Sequence, residues 1–197
     1  MLYLDIAIIA GELAGLVFSI DKHGWWPQFV YYTQCSNYFL LLATAAHLVC
    51  RLRRSVPMAV ERLRYIAACL TTVTLTVTVC ILIPTYGHPS YFLIETNGLF
   101  QHLLCPLLAI AGLPFLRPMR KKDAVLALIP TVVYGVILYT LNYFRIMDGP
   151  YPFMKVHAQP WYMSVFWFIT LAAAAYGIAA GLRLLCGKKR IPGLKET

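Results

Sequence analysis

Six apolar runs follow one another with only short, turn-rich breaks between them, and that pattern limits the fold more than any single residue does. The runs cover roughly residues 2–20, 29–50, 65–84, 97–116, 123–144 and 160–185. A helix needs about 20 mostly apolar residues to cross a bilayer. Irregular backbone has no place in hydrocarbon, because its peptide groups would lack partners. The pattern therefore predicts an all-α integral membrane protein: one domain over residues 1–197, built from six transmembrane helices. The breaks ("DKHGWWPQ", "RLRRSVP", "TYGHPS", "RPMRKKD", "MDGPYPFMKVHAQP") are too short to hold a soluble domain, and no internal repeat is visible. The first run has no basic leader and no small-residue cleavage site after it, so it reads as a helix and not as a signal peptide.

Composition agrees, with 60% hydrophobic and 13% charged residues, against about a quarter charged in soluble domains. The net charge of +9 does not point to nucleic acid, because the basic residues lie in short clusters between the apolar runs. One set of breaks holds Arg51, Arg53, Arg54, Arg62 and Arg64, then Arg117, Arg120, Lys121 and Lys122. The tail adds Arg183, Lys188, Lys189, Arg190 and Lys195 on the same side, and the other side holds only Lys22, Arg145 and Lys155. Cytoplasmic loops carry the excess of Lys and Arg, so both termini are expected to be cytoplasmic. Trp25, Trp26, Tyr86, Tyr91, Tyr151, Trp161 and Tyr162 on the sparse side suit an interfacial aromatic belt. Short loops and compact spans fit a bacterial inner (plasma) membrane.

The six cysteines lie in or beside apolar runs and form no CxxC pair. They read as free thiols, with neither a disulfide framework nor a zinc site. No metal cluster or cofactor motif is apparent. His47 and His102 fall at different depths, which argues against a haem ligand pair.

Polar side chains in hydrocarbon are costly and usually face the bundle interior. At 100° per residue, Thr33, Ser36, Asn37, Thr44 and His47 share one face of the second helix. Asp5, Glu12 and Ser19 share a face of the first helix. Asn97, Gln101 and Cys105 align on the fourth with His102 beside them, and Thr131, Tyr134, Asn142 and Arg145 align on the fifth. The threonines of "LTTVTLTVTV" read as packing. At 1.5 Å per residue, Thr33 and His102 lie about one turn below the outer surface, and Asn37 and Cys105 a turn deeper. Glu12 reaches a similar depth, and Arg145 ends its helix on that side. These groups are expected to converge on one outer-leaflet cavity.

A hydroxyl or thiol beside an imidazole can act as a nucleophile, with the histidine as general base. An amide such as Asn37 or Gln101 can steady an oxyanion. The substrate would be a membrane lipid or acyl ester. Glu12 and Arg145 are either part of that site or a structural ion pair.

The segments "YYTQCSNYFLLL", "NGLFQHLLCPLLAI" and "RIMDGPYPFMKV" resemble the androgen-induced family of multipass membrane threonine hydrolases, and in particular its small bacterial relatives. The resemblance implies an intramembrane hydrolase of lipid esters, with substrates like the fatty acid esters of hydroxy fatty acids that animal members cleave. It implies Thr33 as nucleophile and His102 as base, with "GPYPF" as an interfacial turn. Asn97 departs from the family spacing, standing five residues before His102 and not four. A related branch of cysteine-dependent membrane acyltransferases makes Cys35 the alternative nucleophile. Cys35 lies about 200° around the helix from Thr33, so a regular helix turns only one of them to the cavity. The remaining alternatives are a non-enzymatic binder or transporter of a lipid or small molecule, and a structural bundle whose polar stripes only join helices.

Overall fold

The computed structural model describes residues 1–95 and 97–189; the tail residues Arg190 and Lys195 of the charge pattern lie outside that range. The described chain is an all-helical bundle. Its long helices are α1 (Leu2–His23), α2 (Tyr32–Leu52), α3 (Met58–Tyr86), α4 (Leu99–Phe115), α5 (Lys121–Tyr143) and α6 (Trp161–Arg183). A one-turn helix, Pro89–Leu93, stands between α3 and α4. Five of these helices are long and apolar enough to cross a membrane, which is compatible with an integral membrane protein. The fourth predicted span is the short one. At 17 residues, α4 is about 25 Å long, less than the roughly 30 Å of a bilayer's hydrocarbon.

α3 starts two turns before the apolar run that marks it in the sequence. The early turns are charged, yet the charges are paired. Glu61 meets Arg117 at 3.1 Å, Arg62 meets Asp123 at 3.1 Å, and Arg64 meets Asp5 at 3.5 Å. Arg64 is 1% exposed, so it is an interior group and not one of the surface charges it was grouped with.

Two packing features set the relation of α1, α2 and α4. Gly11 and Gly15 lie one turn apart on α1. A Cβ at Gly11 would sit 2.8 Å from Cys105 Sγ, and one at Gly15 would sit 2.8 Å from Gln101 Cγ. This small-xxx-small spacing lets α4 lie directly against α1. Between α2 and α4, Gln34 and Gln101 exchange reciprocal amide bonds of 2.8 and 3.0 Å. The core of this half is small and close-packed: Ile8, Leu40, Ala68, Cys105 and Ala109 are all buried. The outer faces carry large apolar side chains such as Leu13, Val17, Ile129, Val133, Val165 and Ile169.

α3 and α4 each contain a wide π-type segment, at Thr78–Leu82 and Leu99–Leu104. In both, a proline follows two residues later (Pro84, Pro106). The ring removes one ladder hydrogen bond and clashes with the carbonyl four residues back, which is Cys80 in one helix and His102 in the other. Widening the turn relieves that clash, and such turns favour functional sites.

Candidate active site

Thr33 differs from the other threonines because of where it falls in its helix. The hydroxyls of Thr44, Thr71, Thr72, Thr76, Thr85 and Thr140 all bond back to the carbonyl four residues earlier. Thr33 is the second residue of α2, so no helical carbonyl lies beneath it. Its hydroxyl instead meets His102, with Oγ1 to Nε2 at 3.3 Å. Catalytic contacts are often this long before substrate binds.

The other ring nitrogen fixes the tautomer. His102 Nδ1 lies 2.8 Å from the Phe92 carbonyl oxygen. A carbonyl only accepts, so Nδ1 carries the proton and Nε2 presents a lone pair to Thr33. Gly98 makes this contact possible: a Cβ there would lie 2.5 Å from the same Phe92 oxygen. A hydroxyl, a correctly oriented base and the group that orients it therefore stand in line.

The pair opens onto a cavity of about 650 Å³. Thr33, His102 and the buried Tyr151 line it, together with His23 and the exposed Lys22 and Tyr91. The Lys22 ammonium is held 4.1 Å above the Tyr91 ring. Tyr151 is buried within the bundle and does not belong to the aromatic belt, whose Trp25, Trp26, Trp161 and Tyr162 are exposed. It stacks on Phe153 at 5.3 Å, and its phenol faces the Thr33 hydroxyl and the amides of Tyr32 and Thr33. Burial pushes that phenol up to about 12, and these neighbours offset part of the rise. The two amides belong to the first turn of α2, where N–H groups have no intrahelical acceptor. They supply positive potential beside the hydroxyl.

The remaining sequence candidates divide. Asn37 is buried beneath the pair, but its Nδ2 donates to the Thr33 carbonyl at 2.7 Å and the Gln101 carbonyl at 3.2 Å. Gln101 Nε2 donates to Gln34, and Asn97 Nδ2 donates to Gln101 Oε1 at 3.2 Å. Both amide hydrogens of Asn37 and one of Gln101 are taken by these contacts, which brace α2 against α4 and hold the segments that carry Thr33 and His102. Cys35 turns to the Phe29 carbonyl at 3.2 Å, away from the His102 side. Glu12 and Cys105 lie deeper, with Glu12 beside Asn37, Tyr38 and Gln101. Arg145 is exposed, with φ of 57° just past the end of α5. Glu12 and Arg145 thus form neither an ion pair nor part of the cavity lining, because the chain turns outward before Arg145. All six cysteines are free, and the described residues hold no cluster of metal-ligating side chains.

Two participants escaped sequence reasoning. The Phe92 carbonyl carries no side-chain signal. Tyr151 gave one in "GPYPF", where its aromatic ring suggested an interfacial anchor. No family model, curated protein or solved structure matches this chain.

Proposed function

We propose that the protein is a six-pass membrane hydrolase of lipid esters, with both termini cytoplasmic and Thr33 as nucleophile. The observation that carries this reading is the His102 ring, held by the Phe92 carbonyl with its free nitrogen 3.3 Å from the Thr33 hydroxyl at a cavity wall. The motif resemblance to the androgen-induced family points the same way. The six-pass topology draws support from α4. His102 on its first turns faces the cavity, while Gly112 near its other end abuts Arg64, Leu4 and Met1.

In the reaction, His102 Nε2 takes the Thr33 proton as Oγ1 attacks the ester carbonyl. Negative charge on the carbonyl oxygen develops beside the Tyr32 and Thr33 amides and the Tyr151 phenol, which act as the oxyanion site. The alcohol leaves with the proton from His102, giving an acyl-threonine. Water then loses a proton to His102, attacks the acyl carbonyl and releases the acid, and Thr33 recovers its proton. The balance is ester plus water to acid plus alcohol. A carrier reading fits less well. The cavity end of the bundle is open, while Asp5, His47 and Arg64 form a closed, buried cluster at the other end.

The test is labelling of detergent-purified protein by a lipophilic fluorophosphonate, read by intact mass, beside turnover of p-nitrophenyl esters. One adduct is expected on wild type and none on Thr33→Ala. His102→Ala should slow both labelling and turnover by about 10²- to 10⁴-fold. Full activity in a folded His102→Ala protein would refute the reading.

A further inference from the structure

Thr33 borders a second cavity. Beneath the wide one, a narrow slot of about 60 Å³ runs between α3, α5 and α6. Thr33, Leu82 and Tyr151 line both, so the two meet at the nucleophile. From there the slot follows α3 inward from Leu82 to Val73. Nine residues of helix give it a length of about 14 Å. Its walls are mostly apolar along that path: Val77 on α3, Gly135 on α5, and Phe168, Leu171 and Ala172 on α6. Thr74 and Thr78 also lie on the path, the Thr74 hydroxyl 2.9 Å from Ser36 Oγ, and the hydroxyls of three tyrosines and Thr131 that border the slot are engaged. Tyr139 donates to the Phe153 carbonyl at 2.8 Å, Tyr134 donates to the Val30 carbonyl at 2.7 Å, and Tyr32 and Thr131 bond each other at 2.7 Å.

We infer that this slot holds the single aliphatic chain of the acyl group being transferred to Thr33, and that α6 sets the chain length accepted. The inference rests on the hydrolase reading and adds the acyl side of its substrate. The geometry selects this occupant. The slot is long and narrow, with room for about four to six water-sized spheres in all. Its long, mostly apolar lining suits an alkyl chain better than a polar headgroup. It ends at the hydroxyl the acyl carbon must reach, and the wide, polar-rimmed cavity on the other side of Thr33 is left for the alcohol portion. A lipid tail gains no hydrophobic free energy by leaving the bilayer for this slot, because both are apolar. Occupancy therefore depends on close contact, so a slot of fixed depth discriminates by length and shape. We take depth to be set at the inner end, because Val73 on α3 and Ala172 on α6 are the lining residues of those helices farthest in sequence from their outer ends. In the middle, Gly135 is small because Phe168 occupies its place: a Cβ there would lie 3.1 Å from the ring.

Two measurements separate this inference from the reading beneath it. First, decanoic acid with a terminal diazirine is photocrosslinked to Thr33→Ala protein in detergent, and the sites are mapped by peptide mass spectrometry. Thr33→Ala cannot turn over, so this arm does not depend on catalysis. Adducts are expected in 73–77 and 168–172, and are expected to disappear in Thr33→Ala carrying Ala172→Phe. Adducts confined to the outward-facing Val133 and Ile137, unchanged by Ala172→Phe, would overturn the slot. Second, hydrolysis of p-nitrophenyl butyrate, octanoate and laurate is compared in Ala172→Phe and Leu171→Ala on the active background. Ala172→Phe should cut laurate turnover at least about tenfold relative to butyrate, and Leu171→Ala should move the preference toward longer chains. An unchanged chain-length profile in both folded variants would refute length selection by α6. Slot adducts without hydrolysis of any ester would keep the chain site and eliminate the hydrolase.

Discussion

The bundle holds a buried histidine near each end, and the two are built differently. At the basic end, His47 Nδ1 lies 2.9 Å from Asp5 Oδ2, and Arg64 reaches the other carboxylate oxygen at 3.5 Å. All three are 2% exposed or less, and none lines either of the cavities that meet at Thr33. At the cavity end, the partner of His102 is a carbonyl, and its free nitrogen faces a hydroxyl and open space. A carboxylate held by an arginine as well engages an imidazole nitrogen directly and uses its interaction capacity for packing. A carbonyl fixes only one N–H and leaves the ring's lone pair available. The residue type is the same; the partner and the access decide whether its free nitrogen is closed into the packing or left facing a cavity.

Asp5→Ala should break this contrast most severely. It removes the carboxylate that pairs with Arg64 and His47, leaving a buried guanidinium unpaired, at a cost of about 3 to 5 kcal/mol. Thermal unfolding in detergent should show the loss, while the activity of the surviving folded fraction stays near that of wild type. A loss of turnover per folded molecule as deep as that of Thr33→Ala would make the basic end part of the active site. A second, smaller effect sharpens the cavity end. Tyr151→Phe keeps the ring that stacks on Phe153 but deletes the hydroxyl beside Thr33, and kcat should fall roughly 10- to 100-fold, below the 10² to 10³ of a full oxyanion donor because two amides remain. Unfolding should barely move. An unchanged kcat would reduce Tyr151 to a wall of the cavity. The smallest effect belongs to Cys35→Ala. The thiol contacts only the Phe29 carbonyl, so turnover and fluorophosphonate labelling should stay within about twofold, as for a weak hydrogen bond outside the site. Loss of the adduct would move the nucleophile from Thr33 to Cys35.

Much of the candidate site was legible because helical periodicity and bilayer depth are both simple functions of residue number. Thr33 and His102 could be given the same depth from charge alternation and rise per residue alone. The amides were found on the right faces for the same reason, but their role was not. Asn37 and Gln101 point inward, yet which acceptors take their hydrogens depends on how closely α2, α4 and α1 approach, and Gly11 and Gly15 set that distance. Arg145 shows the opposite failure. It continues the polar stripe of α5 on a helical wheel, but the helix ends at Tyr143 and a left-handed residue turns it outward. The start of α3 was missed because charge was read as exposure, whereas Glu61, Arg62 and Arg64 are neutralised by partners more than fifty residues away in sequence.

By itself, then, the sequence determined the helical class, the long apolar spans and the inward faces of each helix, because these follow from local composition and a fixed 3.6-residue period. Tertiary structure alone decided which inward groups touch. It brought a carbonyl on the Pro89–Leu93 turn to His102, carried Tyr151 from a loop to Thr33, and opened two cavities that meet at Thr33. Each of these depends on distances between segments far apart in the chain, and no local pattern encodes such distances.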